Sequence, residues 1–215
     1  MIPTYSRGPL IEELHRKYLG YAWYNELVGY LSIRYRPIET RILNSLRYVE
    51  LHPRNKDAFS YEFGSIIRDV GSIFGSTLEK LVRNTAKETR DRYDIRDYLQ
   101  FLVDEVKDVD LMGAELNSPF RNRVVLPFEN IKDATLRTSE RLAWWDAYNN
   151  LKHSDFENYE SGCLKHVIYG IASLAVLFGL MTPWSVEYID MPGKLFYQIG
   201  LFFPGDKAKE CGFPR

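Results

Sequence analysis

Cysteine is almost missing from this chain. Only Cys163 and Cys211 occur in 215 residues, too few for a disulfide framework and without the paired spacing of a thiolate zinc site. An excess of either charge is missing too: 28 basic side chains stand against 29 acidic ones, a net charge of −1. No global field therefore draws the protein onto nucleic acid or an anionic membrane, and any such binding needs a local patch. No phosphate-cradling glycine loop and no serine-nucleophile elbow occurs. The carboxylates Asp104, Glu105, Asp108 and Asp110 lack His or Cys partners and read as a solvated face. Neither a metal nor a cofactor is expected.

Repeats, low-complexity tracts and flexible linkers are also lacking, so one domain is expected over 1–215. It divides into a helical extension (1–36), a core (37–182) and a C-terminal hairpin (183–215). The opening MIPTYSRGPLIEELHRKYLG is charged and has no long apolar core, which argues against a secretory signal and for a reducing, cytoplasmic setting. There is one long uncharged run, from Val167 to Val186. It approaches bilayer-spanning length, but its strongly apolar part stops at Met181 and Thr182-Pro183 breaks a helix there. The run is read as the central helix of a bundle, and no membrane partner is expected.

What is present is mostly helical periodicity. Leu10, Ile11, Leu14 and Tyr18 predict a short amphipathic helix. Pro37 suits the first turn of a second, with Ile38, Ile42, Leu46 and Val49 inward and Pro53 after its end. Ser60 is placed to cap a long third helix carrying Phe63, Ile66, Ile67, Val70, Ile73, Phe74, Leu78, Leu81 and Val82. Gly64, Gly71 and Gly75 line one side of it, where a neighbouring helix can approach closely. Asp94 caps a fourth helix bearing Tyr98, Leu99, Leu102, Val103 and Val106. Between 108 and 130, Asn117-Ser118-Pro119 separates two short apolar runs and predicts a loop or a small β-hairpin, the latter taken into the fold class. The runs VEYIDM and LFYQIGLFF around Pro192-Gly193 predict the terminal hairpin. The fold class is all-α: a helical bundle with a β-hairpin insertion and a short C-terminal hairpin.

Chemistry concentrates in WWDAYNNLKH, residues 144 to 153, in a helix that Ser139 opens. Trp145, Tyr148 and Leu151 recur at helical spacing and read as core. Asn149, Lys152 and His153 share a neighbouring surface, because residues three and four apart on a helix face the same way. His153 also reads as a cation favoured by the helix C-terminus, solvated and without chemistry. His166, in the apolar helix, reads as a satisfied core histidine, and His15 as a surface one.

This late polar helix followed directly by a strongly apolar one resembles the HEPN superfamily of helical bundles. The family motif is an Arg, often followed by Asn, with a His four to six residues after the Arg. Asn149 and His153 match the Asn-to-His half, and Tyr148 stands where the Arg would be. The segment RYVELH at 47–52, ahead of Ser-Tyr-Glu-Phe, is similar to the same group, and the resemblance covers roughly residues 38 to 182. It implies metal-independent ribonuclease activity, or RNA binding without cleavage, in toxin–antitoxin or phage-defence systems. It also implies a homodimer with the site across the twofold, and a protein partner such as an antitoxin.

In those terms Asn149, Lys152 and His153 are the catalytic candidates, with Tyr148, Trp144, Arg141 and Arg47 as binding candidates. The His would move a proton or orient a 2′-hydroxyl, the Asn would fix the His or the backbone, and Lys152 would supply a point charge in place of the guanidinium. Arg47 and His52 form a second Arg-to-His pair, but His52 falls at a helix end beside Pro53. The competing expectation is a non-enzymatic module that dimerises or docks a partner through exposed aromatics and the C-terminal hairpin.

Overall fold

The computed structural model describes residues 13–86, 90–116, 123–154, 157–181 and 195–201. His15's side chain, Cys211, the Asn117–Pro119 turn and the first strand of the expected terminal hairpin lie outside them. The helices are α1 (Glu13–Tyr18), α2 (Ala22–Ser45), α3 (Tyr61–Thr85), α4 (Ile95–Glu105), α5 (Thr138–Arg141), α6 (Ala143–His153) and α7 (Leu164–Met181). The strands are β1 (Met112–Leu116), β2 (Arg123–Val125) and β3 (Phe196–Leu201). The protein is a helical bundle with a small antiparallel sheet, as the periodicity predicts.

α3 is built as its sequence dictates. Ser60 adopts an extended backbone and its hydroxyl accepts the Phe63 N–H at 3.0 Å, satisfying one of the donors a helix start leaves orphaned. The stripe from Phe63 to Leu81 is sealed in the core. α4 starts on Asp94, where Asp94 and Asp97 form a reciprocal capping box.

α2 departs from the expected second helix. It does not begin at Pro37 but runs through it from Ala22, so the boundary drawn at residue 36 falls inside a helix. The reason is a buried stripe that continues across the proline, with Tyr24, Leu27, Leu31, Tyr35, Ile38 and Ile42 all inward. A mid-helix proline costs about 3 kcal/mol. Each such side chain returns roughly 1.5 to 3 kcal/mol on burial, so the stripe wins. A break appears elsewhere: Leu142 (φ −141°, ψ 70°) leaves helical geometry and separates α5 from α6, so the helix of WWDAYNNLKH starts at Ala143 and not at Ser139.

α7 lies against α1, α2, α3 and α6 and against the sheet. It is long and apolar enough to cross a membrane by length and composition, yet 83% of it is buried inside the protein. The apolar surface that lipid would cover is covered by helices. The expected β-hairpin insertion forms, with Ala114 opposite Val125. β3 adds to the other side of β1, with Ala114 opposite Ile199, giving the order β2-β1-β3. The described half of the expected terminal hairpin thus pairs with the insertion. Glu115, in β1, is 3% exposed, and burial pushes its carboxyl pKa up.

Candidate functional site

α6 is split lengthwise. Its inward side meets the glycines of α3 one by one. A Cβ at Gly71 would sit 2.3 Å from the Tyr148 ring, one at Gly75 would be 3.2 Å from Trp145, and one at Gly64 would be 3.6 Å from Leu151. The glycines give room for two aromatic rings and a leucine, so it is side chains and not helix backbone that fill the space. Because Trp145 lies near residue 75 and Leu151 near residue 64, α6 runs antiparallel to α3 and its C-terminus sits beside the start of α3. Trp144 packs edge-on to Phe74 at 5.2 Å.

Two binding candidates are corrected by this packing. Trp144 is 1% exposed and Tyr148 8% exposed, so neither ring offers a face to a ligand; their apolar bodies are worth more in the core than in solvent. Tyr148 nonetheless has a part in the site. The Lys152 ammonium lies 5.6 Å from its ring centroid, within cation–π range. The residue standing where an arginine is expected therefore steadies a lysine.

The outward side of α6 carries Asn149, half-buried, and Lys152 and His153, both exposed. Both fall in the last helical turn, where the carbonyl end of the helix dipole favours the Lys152 charge. That end is anchored. The Ser154 N–H donates to the Asn150 carbonyl at 3.0 Å, the Asn158 side chain donates to the Ser154 carbonyl at 3.0 Å, and the Ser154 hydroxyl donates to Glu157 at 2.7 Å.

The remaining candidates are placed apart from this face. Arg141 is half-buried and its Nε donates to the Leu136 carbonyl at 3.2 Å, a structural contact. Arg47 is exposed in the turn after α2. His52 caps a short 3-10 turn, its Nδ1 accepting the Arg54 N–H at 3.1 Å. His166 is satisfied as expected: its Nδ1 lies 2.9 Å from the Ser161 carbonyl and 3.3 Å from Cys163 Sγ. Burial lowers the His166 pKa and raises that of the Cys163 thiol, so this pair is no activated nucleophile. Among the described residues no group of three or more His, Cys, Asp or Glu could hold a metal ion.

The sequence missed a cluster of exposed rings beside this face. Phe59, Tyr61 and Tyr159 are 47%, 73% and 38% exposed. Tyr159 meets Phe59 edge-on at 5.3 Å and Tyr61 in a stacked arrangement at 6.3 Å. The signal present in the sequence was three aromatics beside helix starts, positions where burial is not required. Compared with protein-family models, with curated proteins and with solved structures, the chain matches none.

Proposed function

We propose that this protein is an HEPN-like, RNA-associated helical bundle that binds RNA through the outward side of α6. One observation carries this: Lys152, held over the Tyr148 ring, puts a positive charge next to His153 on an exposed polar face that the packing of the bundle does not use. A phosphate needs such a charge, and the ring in the arginine position cannot supply it. An ammonium is a point charge and lacks the bidentate fork, so the arrangement favours holding RNA over cutting it. If there is cleavage, it is metal-independent, with His153 moving the proton and Asn149 orienting it. A homodimer would bring two Lys152–His153 faces together about its twofold axis. A cytoplasmic role in defence or toxin–antitoxin control belongs to the same proposal.

Fluorescence anisotropy with labelled RNA in the presence of a chelator tests it. Wild type should bind, and Lys152→Ala should lower the slope of log affinity against log salt by roughly 0.7 to 0.9, the contribution of one phosphate contact. Wild type that neither binds nor cuts RNA would overturn it. The second reading, a module that docks a protein partner, is favoured by α2. There Tyr30 and Ile33 share one side with Pro37 and are 37% and 73% exposed. Ile33→Asp should then abolish association seen by light scattering.

A further inference from the structure

We infer that the Phe59–Tyr61–Tyr159 cluster is a stacking platform for unpaired RNA bases, placed so that the same strand reaches the Lys152–His153 face of α6. This rests on the RNA-binding proposal and narrows the substrate class to single-stranded RNA.

The backbone that carries the rings is tied together by hydrogen bonds. Phe59 bridges to Cys163. The Ser60 N–H donates to the Gly162 carbonyl at 3.2 Å, the Leu164 N–H to Ala58 at 2.9 Å and the Lys165 N–H to Lys56 at 2.9 Å. The segments bearing the rings are thus stitched to one another, and three aromatic side chains are held exposed without the entropy loss that ordering mobile loops would bring. The platform also adjoins α6. Leu151 packs at Gly64, one turn past Tyr61's side of the cap, and Asn158, the neighbour of Tyr159, is bonded to the C-terminal carbonyls of α6.

Charges of both signs surround it, and the cations left outside ion pairs are the groups that would meet the phosphates of a strand stacked on the rings. Two carboxylates near the rings are ion-paired, Asp57 with Lys165 at 3.0 Å and Glu62 with Arg41 at 2.8 Å. Glu157, which accepts from the Ser154 hydroxyl, Glu160, beside Tyr159, and Asp146, on the outward side of α6, are exposed and keep their charge. Arg54 and Lys152 are exposed and make no ion pair with the described residues, and His153 is exposed beside Lys152. A duplex hides its base faces, whereas every unpaired base offers one, and aromatic side chains take such bases with little regard to sequence.

The test uses the full chain and a fluorescein-labelled single-stranded RNA of about a dozen nucleotides, against a fully paired duplex of the same sequence. Wild type should prefer the single strand. Tyr61→Ala and Tyr159→Ala should each weaken it by roughly five- to a hundredfold, the worth of one stacked base, while leaving the salt slope unchanged. Tyr61→Phe should retain binding and Tyr61→Leu should not, because leucine keeps apolar area but has no π face. Melting curves confirm that the variants are folded, as expected of side chains this exposed. If wild type binds RNA and Lys152→Ala weakens it but the Tyr61 and Tyr159 variants do not, the platform falls and the α6 site stands. Equal affinity for duplex, or binding retained in Tyr61→Leu, also overturns the platform. No RNA binding by wild type removes both proposals.

Discussion

Trp145, Tyr148 and Leu151 on one side of α6, and Asn149, Lys152 and His153 on the other, alternate along the same stretch of chain yet answer to different demands. The inward three are matched residue by residue to Gly75, Gly71 and Gly64 of α3, and exchanging any of them changes how two helices meet. Of the outward three, Lys152 and His153 are exposed and Asn149 half-buried, and Lys152 lies over the Tyr148 ring. Local packing explains the first set and asks less of the second. That contrast is what gives the polar side its functional weight, since solvent-facing residues can be exchanged at small cost to stability.

The largest effect is expected on the inward side. Trp144→Ala should destabilise the protein by about 3 to 5 kcal/mol in a chemical-denaturation experiment, because it removes a ring packed on Phe74 and leaves a cavity. Next comes a graded glycine series. Gly71→Ala drives a methyl into the Tyr148 ring at 2.3 Å and should cost about 1 to 3 kcal/mol as overpacking. Gly75→Ala, at 3.2 Å from a ring edge, should cost less. Gly64→Ala, at ordinary contact distance, should be neutral or stabilising by up to about 1 kcal/mol through helix propensity. Equal effects at the three positions would mean that α6 does not lie where it is described.

A smaller effect is expected at His166, apart from the outward face of α6. Burial holds the His166 pKa below its ordinary value of 6.5. As pH falls below about 6.5 the unfolded chain takes up the proton first, so the unfolded state binds more protons there and stability declines with falling pH. The stability from keeping this ring neutral is fully present above pH 6.5. His166→Gln should flatten that part of a melting-temperature profile. The smallest effect is expected on the outward side, where Asn149→Ala should change stability by no more than about 0.5 kcal/mol.

Much of this was legible in the sequence because it is local. The Ser60 and Asp94 caps, the α3 stripe, the glycine line and the inward reading of Trp145, Tyr148 and Leu151 all follow from spacing alone. What spacing could not give was which surfaces meet. It marked the glycine line and the aromatic line separately, but not that each ring sits on its own glycine. Trp144, and Tyr148 beside its core reading, also stood as binding candidates because aromatics serve both cores and sites, and only their burial separates the two. Pro37 misled because a local rule for helix starts lost to a stripe extending on both sides of it. The pairing of β3 with β1, and the bridge between Phe59 and Cys163 that assembles the ring cluster, join residues far apart in sequence, and no periodicity reports such contacts.

The decisive measurement pairs RNA affinity with thermal stability for a Lys152→Ala, His153→Ala double variant. In the proposed function the outward side of α6 serves RNA and not the fold. Its melting temperature should therefore stay within about 2 °C of wild type, given roughly 2 to 4 °C per kcal/mol for a chain of this size. Affinity for RNA should fall, and its dependence on salt should become shallower. Unchanged RNA affinity and salt slope in a variant that unfolds several degrees earlier would contradict the assignment and make Lys152 and His153 structural residues.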